Sequence, residues 1–333
     1  MPPIGLVLGN DPSANVRELA RDAVAAERAG FQMAFFSETM ASNRDSVTAL
    51  AAFALATEAI ELSAIQVVRL RTPLLLAETA ATLDELCGGR LTLALGAFTK
   101  RHAQRHGLEP SKPATTLREY VEVTRRLLTG EPVRYHGEYV RMDGTALAWR
   151  PHRARIPIWI AANSAGGLAT AARIGDGVLL DGATSPEYAR AAIARMRAGA
   201  EAAGRDPDGL KVAQLVNVSI AKTRREALDA VRPEIASRFR HPQPATARAE
   251  IGEPHVDARA VADYVATFRE HGQEALERRF SDELLLALSA TGTAEEVRER
   301  IAAYRAAGVD LPLLRPARHE QLAPLLAAFG ERG

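Results

Sequence analysis

The stretch whose residue types most clearly suggest chemistry consists of Asn163, Ser164, Ala165, Gly166 and Gly167. A run of alternating apolar residues precedes it, and an alanine-rich run with helical spacing follows, so the pattern predicts a strand, a glycine turn and a helix. Paired glycines let a backbone approach a ligand closely, and the free N–H groups of a first helical turn favour a phosphate. The alternative is an ordinary turn in which Ser164 caps the helix and the glycines relieve crowding.

A pair of histidines and the single cysteine are the other residues whose types could form a metal or redox site. His102 and His106 are four residues apart, which could place two imidazoles on one helix face, but the residue after His102 is Ala103 and no third ligand is evident. We therefore expect no metal. Cys87 is the only cysteine, which excludes an intrachain disulfide and a cysteine-based metal cluster.

Composition narrows the classes of partner. Of the 333 residues, 47% are hydrophobic and 25% charged, and the net charge is +1 with no run of like charges. These values describe a soluble globular protein and indicate neither a nucleic acid partner nor a membrane surface. A small molecule is therefore the expected partner. The amino end has no signal-peptide pattern, so the cytoplasm is the expected location.

The elements that position the glycine turn follow a repeat. Short apolar runs of strand type alternate with helical patterns eight times, with long excursions after the fourth strand and between the seventh and eighth. We expect the first excursion to span residues 96–155 and the second residues 240–290. Such a repeat predicts an α/β fold, a (β/α)8 TIM barrel, as a single domain over residues 1–333.

Active sites of such barrels lie at the carboxyl ends of the strands. The positions that the repeat brings to that mouth are Gly9 to Asp11, Ser37 to Thr39, Gln66 to Arg69, Gly96 to Lys100, Ala161 to Gly167, Asp181 and Asn217.

Several segments, in order and over nearly the whole chain, resemble the luciferase-like monooxygenase superfamily. They are Ala29-Gly30-Phe31, Ala77 to Arg90, Leu117-Arg118-Glu119-Tyr120, Leu127 to Val133 and Pro157 to Leu180. Within that superfamily, Asn43-Arg44 and the segment from Lys112 to Glu119 are similar to the methylenetetrahydromethanopterin reductase branch. The resemblance implies a flavin- or deazaflavin-dependent (β/α)8 barrel that tends to form homodimers, and the branch implies coenzyme F420, a deazaflavin that transfers hydride only.

The resemblance also implies roles for individual residues. Residues 163–167 would receive the cofactor phosphate, and Gln66 and Val67 would contact the cofactor. Deazaflavin-dependent relatives carry a non-prolyl cis peptide behind the cofactor ring, whose counterpart here would lie within Ile65 to Val68; the alternative is an ordinary trans strand. We also assign Gly96 and Asp181, at two strand ends, to the cofactor. Glu38 occupies the end of the second strand, where a carboxyl group could protonate the substrate, the alternative being a solvent-facing loop carboxylate.

Three functions remain open on these grounds. The first is an oxidoreductase that moves a hydride between coenzyme F420 and a small organic substrate. The second is a monooxygenase that uses reduced FMN and oxygen, with a separate flavin reductase as partner. The third is a barrel that binds a ligand without turnover.

Overall fold

The computed structural model describes residues 2–37 and 43–330. Its strands are β1 (Gly5–Leu8), β2 (Met33–Phe36), β3 (Glu61–Val67), β4 (Leu91–Gly96), β5 (Val133–His136), β6 (Arg141–Thr145), β7 (Ile158–Ala161), β8 (Gly177–Leu180), β9 (Lys211–Ile220), β10 (Ala290–Gly292) and β11 (Leu311–Pro316). Its α-helices are α1 (Val16–Arg28), α2 (Ser46–Ala56), α3 (Pro73–Leu86), α4 (Lys100–Arg105), α5 (Pro113–Leu128), α6 (Ala165–Ile174), α7 (Pro186–Ala202), α8 (Arg224–Ser237), α9 (Pro242–Ile251), α10 (Ala258–Glu277), α11 (Asp282–Ala287), α12 (Ala294–Ala306) and α13 (Leu322–Phe329). No helix in these ranges is both long and apolar enough to cross a bilayer.

Eight of the strands close into a barrel. Strands β1, β2, β3, β4, β7, β8, β9 and β11 pair in that order, every pair is parallel, and β11 pairs back to β1. Gly5 lies opposite Leu313 at the point of closure. The predicted (β/α)8 barrel is confirmed.

The interior of the barrel is filled by side chains from alternate positions of the strands. Successive side chains of a strand point to opposite faces, so each strand presents one residue in two to the barrel axis. One buried cluster draws on all eight barrel strands; its members are Val7, Met33, Phe35, Ile65, Ala94, Trp159, Ala161, Leu179, Ala213, Leu215, Leu311 and Leu313. The intervening residues belong to the larger cluster between the barrel and the surrounding helices. The same alternation sets which residues reach the mouth.

The predicted insertions are present. After β4 come α4, α5 and the antiparallel hairpin of β5 and β6, and between β9 and β11 come α8 to α12 and the short strand β10. The pattern of residues 133–140 predicts a small hairpin that turns near Gly137, but the second strand begins only at Arg141. That part of the prediction is wrong because the chain needs residues 137–140 for the turn, in which Gly137 donates a hydrogen bond to the carbonyl oxygen of Val140.

Two further differences affect the mouth. The prolines at 242 and 244 predict a break in any helix after His241, because proline opposes a helix interior. Pro242 is instead the first residue of α9, where a proline is tolerated because its missing N–H would have no partner. The apolar run from Val309 to Leu314 predicts the eighth barrel strand, yet the strand continues to Pro316. The extension carries Arg315 onto the inward-facing side of the strand.

A buried carboxylate attaches the hairpin of β5 and β6 to helix α5. Glu119 of α5 is 1% exposed and accepts backbone hydrogen bonds from Glu138 at 2.8 Å, Tyr139 at 2.8 Å and Val140 at 3.0 Å. Its two carboxylate oxygens thereby satisfy three N–H groups of the turn, which a neutral amide could not do.

We predict that Glu119→Gln lowers the free energy of unfolding by about 1–3 kcal/mol, because the new amide NH₂ would face backbone donors. Urea-induced unfolding measures the change. The matched control is Glu122→Gln on the exposed face of the same helix, which should stay within about 0.5 kcal/mol of the parent. Equal stabilities for the two variants would contradict this role of Glu119.

Candidate active site at the barrel mouth

The glycine turn has the local structure that the sequence predicts. Ser164 is the N-cap of α6, and its hydroxyl oxygen accepts a hydrogen bond from the Gly167 N–H at 3.2 Å. The first N–H groups of a helix have no intrahelical partner, so those of Ala165 and Gly166 are left for a ligand. The turn can therefore serve both as a helix cap, through Ser164, and as an anion site, through the N–H groups of Ala165 and Gly166.

The two glycines serve different purposes. A Cβ built on Gly167 would lie 3.2 Å from both the Ala162 Cβ and the Ser164 Oγ, so this glycine relieves crowding within the turn. A Cβ built on Gly166 would meet no atom within 4 Å. Gly166 therefore faces open space, and a larger side chain there would project towards anything bound at the helix end.

The turn opens onto a cleft of about 610 Å³. It is lined by residues 97–99 after β4, by residues from the end of β7 to α6, and by residues of α4, α5, α9 and α10. A cleft of this volume accommodates a cofactor or drug-sized ligand. Asn163, Ser164, Gly166 and Gly167 line it, as the sequence predicts, and Ala165 lies between them as the first residue of α6.

The ionisable residues that line the cleft are all basic. Arg101, His102, His241 and Arg269 line it, and no aspartate or glutamate does so among the residues that the structure describes. Together with the positive end of α6, these side chains favour an anionic ligand. The guanidinium of Arg101 lies within hydrogen-bonding distance of His241, with 2.9 Å between Nη1 and Nδ1.

The two histidines are held neutral. Burial lowers the pKa of His102 and of His241, and the positive charge of Arg101 lowers both further. Because an arginine can only donate, its contact with His241 requires Nδ1 to be the acceptor, which is the neutral form of the ring. An anion bound beside them would oppose the effect of Arg101 and raise both pKa values.

Asp181, directly after β8, does not line the cleft. Its N–H donates to the Asn163 side-chain oxygen at 3.0 Å, which connects the ends of the fifth and sixth barrel strands. Its carboxylate forms an ion pair with Arg248 at 3.0 Å. Burial alone would raise the pKa of Asp181, but the guanidinium groups of Arg238, Arg248 and Arg315 outweigh it and keep the pKa below its ordinary value.

The other strand-end predictions divide between the two faces of the barrel. Val67 and Gly96 are paired across β3 and β4, and a Cβ on Gly96 would lie 3.5 Å from Ile65 and 3.7 Å from Ala161, both interior residues. The side chain of Gln66 instead points outward, where it donates to Ser46 and accepts from Arg71 at 2.7 Å. Its side chain does not reach the cleft. The peptide bonds of the described residues are all trans, which is the alternative considered for this strand.

Glu38 lies outside the described residues, so its catalytic role stays a prediction. The preceding residue, Ser37, is buried, and its hydroxyl accepts a hydrogen bond from Arg315 at 2.9 Å. Of the histidine pair, His102 lines the cleft, whereas His106 stacks on Phe98 with 5.1 Å between ring centroids. Among residues 2–37 and 43–330, no group of three or more His, Cys, Asp or Glu could hold a metal ion.

Sequence reasoning missed Arg101, His241 and Arg269 as lining residues. Arg101 could have been found, because it directly follows Gly96 to Lys100, a segment predicted at the mouth. The other two lie in the second insertion, His241 in a proline-containing stretch that opposes a helix and Arg269 in a helical stretch outside the barrel repeat, and only the docking of α9 and α10 over the mouth brings them to the cleft.

Comparison with known proteins identifies the family. The model of the luciferase-like monooxygenase family matches residues 4–311. The chain belongs to this family. The 5,10-methylenetetrahydromethanopterin reductase of Archaeoglobus fulgidus is 31% identical over 301 residues, which cover 90% of this chain and 89% of the relative. The predicted resemblance, including its reductase branch, and the prediction of an oxidoreductase are confirmed.

Two further likenesses concern proteins that use a deazaflavin. The F420-dependent glucose-6-phosphate dehydrogenase of Nakamurella multipartita is 31% identical over 65% of this chain and 67% of its own length. The solved structure of the coenzyme F420-dependent tetrahydromethanopterin reductase of Methanopyrus kandleri superposes with a TM-score of 0.84 at 25% identity, covering 98% of this chain and 97% of that one.

We predict that anion binding in the cleft strengthens as the pH falls. The pKa values of His102 and His241 are lowered in the free protein and should rise when an anion binds. The affinity for the anion is therefore greatest at pH values below the pKa of the free protein. It declines as the pH rises through the pKa of the complex. A rise of one unit for one histidine corresponds to roughly tenfold in affinity. Titration calorimetry with sulfate, whose charge is constant between pH 5.5 and 8, measures the profile.

The His241→Gln variant should flatten this profile, whereas His136→Gln, on the exposed face of the β5 hairpin, should leave it unchanged. A wild-type affinity for sulfate that does not vary with pH would contradict protonation of His102 and His241 on binding.

Proposed function

We propose that this protein transfers a hydride between coenzyme F420 and a small organic substrate. The observation that carries the proposal is the cationic cleft at the barrel mouth, onto which the uncapped N–H groups of Ala165 and Gly166 open. The relatives named above supply the choice of cofactor, because their names specify coenzyme F420 or reduction of a methanopterin.

The residues of the cleft fit such a cofactor. The amino end of α6 would hold the phosphate, and Arg101 and Arg269, which line the same cleft, would neutralise its charge. Ala97 and Ala161 leave room for a planar ring at the strand ends, and Pro113 and Leu117 would shield that ring from water. When bound, the deazaflavin supplies the two-electron hydride chemistry, and the protein positions both partners.

Fluorescence titration tests the proposal. The protein should quench the fluorescence of coenzyme F420 with a saturable curve, and FMN titrated in parallel should bind more weakly. Tighter binding of FMN would favour the monooxygenase alternative. Absence of binding by either compound would overturn the proposal and leave a barrel with another ligand.

A charge placed at Gly166 tests the phosphate position. We predict that Gly166→Asp weakens F420 binding on the order of 10- to 100-fold, since its carboxylate would project into the open space beside the helix end. The helix should not be destabilised, because an acidic residue in the first turn is favourable. Gly166 is a cleaner position than Gly167, where any Cβ also crowds Ala162 and Ser164.

The neutral control at this position is Gly166→Asn, which has nearly the same volume as the aspartate variant. It should bind F420 at least several-fold more tightly than Gly166→Asp does. Equal dissociation constants for the two variants would remove the phosphate from the amino end of α6.

Glu38 is proposed as the proton donor that accompanies hydride transfer. Glu38→Gln keeps the shape of the side chain but loses the acid, so turnover should fall roughly 10²- to 10⁴-fold while F420 affinity stays nearly unchanged. Stopped-flow absorbance of the deazaflavin with a substrate found by screening measures the step. Weaker F420 binding without a specific loss of turnover would make Glu38 a binding residue instead.

A further inference from the structure

A second group of charged residues lies on the other side of the barrel mouth. We call the following residues the mouth cluster: Asp181, Asn217, Glu234, Arg238, Arg248 and Arg315. Three come from the carboxyl-terminal parts of the sixth, seventh and eighth barrel strands, one from α8, one from the C-cap of α8 and one from α9. None of them lines the cationic cleft, which lies against the fourth and fifth strands.

Strand alternation aims three members of the cluster at the barrel axis. Asp181, Asn217 and Arg315 each follow an interior residue, Leu179, Leu215 and Leu313, at a spacing of two. Asn217 and Arg315 are paired in register across β9 and β11, so their side chains are neighbours on one face. Both are buried, at 0% and 2% exposure.

The charges within the cluster are partly paired. Arg248 forms the ion pair with Asp181 and also donates to the Gly182 carbonyl oxygen at 3.0 Å. Arg238 donates to Glu234 at 2.6 Å. Arg315 contacts the same Glu234 oxygen at 3.6 Å, a distance too long for a good hydrogen bond.

Several donors of the cluster have no hydrogen-bond partner. In the part of the chain that the structure describes, neither polar atom of the Asn217 amide is paired, and Nε and Nη1 of Arg315 are unpaired as well. Buried polar groups are nearly always satisfied in folded proteins. Three unpaired donor atoms therefore lie on two neighbouring residues with only one unpaired acceptor atom, the Asn217 Oδ1. This marks a place where hydrogen-bond acceptors are missing.

The charges of the mouth cluster also indicate that a negative group is missing. Three guanidinium groups face two carboxylates, which leaves one positive charge in excess. Burial lowers the pKa of Arg315 to about 10, and the positive charge of Arg238 contributes to this, whereas Glu234 and Asp181 compensate only in part. A single negative charge beside Arg315 would balance the cluster.

We propose that the substrate of this enzyme carries a carboxylate group, and that Arg315 and Asn217 hold it at the barrel mouth. The inference rests on the proposed function, because it names the class of substrate that would react there. A carboxylate has one charge and a planar pair of oxygens, which match the excess charge and the arginine fork. A phosphate would bring up to two charges close to Asp181 and Glu234.

Solvent reaches three members of the cluster. The side chains of Asp181, Glu234 and Arg238 are 21%, 28% and 29% exposed, respectively, so the cluster is not sealed within the core. Ser37, which bonds to Arg315, directly precedes Glu38 in the chain. An acid held by Arg315 would therefore be anchored close to Ser37.

Binding of propionate, with propionamide as its neutral counterpart, tests the site in the absence of cofactor. At constant ionic strength, propionate should raise the thermal unfolding midpoint of the wild-type protein and propionamide should not. Arg315→Met should weaken the apparent affinity for propionate roughly 10- to 100-fold, the range expected for loss of a charge-assisted pair. Asn217→Leu should weaken it as well, and it provides the answer if Arg315→Met does not fold.

The control is Arg134→Met, which removes the same charge from an ion pair whose arginine is 80% exposed. It should respond to propionate as the wild-type protein does. Equal effects of propionate and propionamide on the wild-type protein, or unchanged affinity for propionate in both cluster variants, would overturn the inference.

F420 titrations of the same proteins separate this inference from the proposed function. A response to propionate that depends on Arg315, in a protein that does not bind F420, would support the acid site and remove the proposed function. F420 binding without any response to propionate would keep the proposed function and remove the acid site.

Discussion

Parallel closure of the eight strands is the constraint on which the site depends. Because all strands run in one direction, their carboxyl ends meet at one mouth, and the alternation of side chains selects which residues reach it. Leu179, Leu215 and Leu313 fill the last interior positions, so the residues two further along each strand lie at the mouth. The chemistry of the mouth is thus set by positions far apart in sequence.

The mouth is divided between two electrostatic environments. Against the fourth and fifth strands lies a cleft with an open helix end and cationic walls. Against the sixth to eighth strands lies the mouth cluster, in which three arginines, two of them buried, face two carboxylates. The hydrogen bond between Asn163 and Asp181 joins the two regions. Such an arrangement would place an anionic cofactor and an acidic substrate at opposite sides of one reaction chamber.

Local patterns were enough to predict the barrel and the glycine turn. The strand, the Ser164 cap and the helix start that follow one another at residues 158–165 are each determined by neighbours in sequence. Arg315 was missed because the apolar run stops at Leu314, whereas the strand continues for two residues through its pairing with β9. The role of Arg248 could not be predicted, since its partner Asp181 is 67 residues away and the helix that carries it begins with prolines.

The buried charges show why residue type alone was insufficient. An arginine in a sequence is usually a surface residue, and nothing local distinguishes Arg315 from the exposed Arg134. Only the assembled barrel shows that one is buried with unpaired donors and the other is exposed. The same holds for Gln66, which was predicted at the cofactor but whose side chain bonds to Ser46 and Arg71 behind the sheet.

The most direct test of the central claim is a crystal structure of the protein with coenzyme F420 bound. We expect the phosphate within hydrogen-bonding distance of the Ala165 and Gly166 N–H groups, and the ring at the strand ends beside Ala97 and Ala161. A phosphate bound to Arg315 in the mouth cluster, with no density at the amino end of α6, would contradict the account.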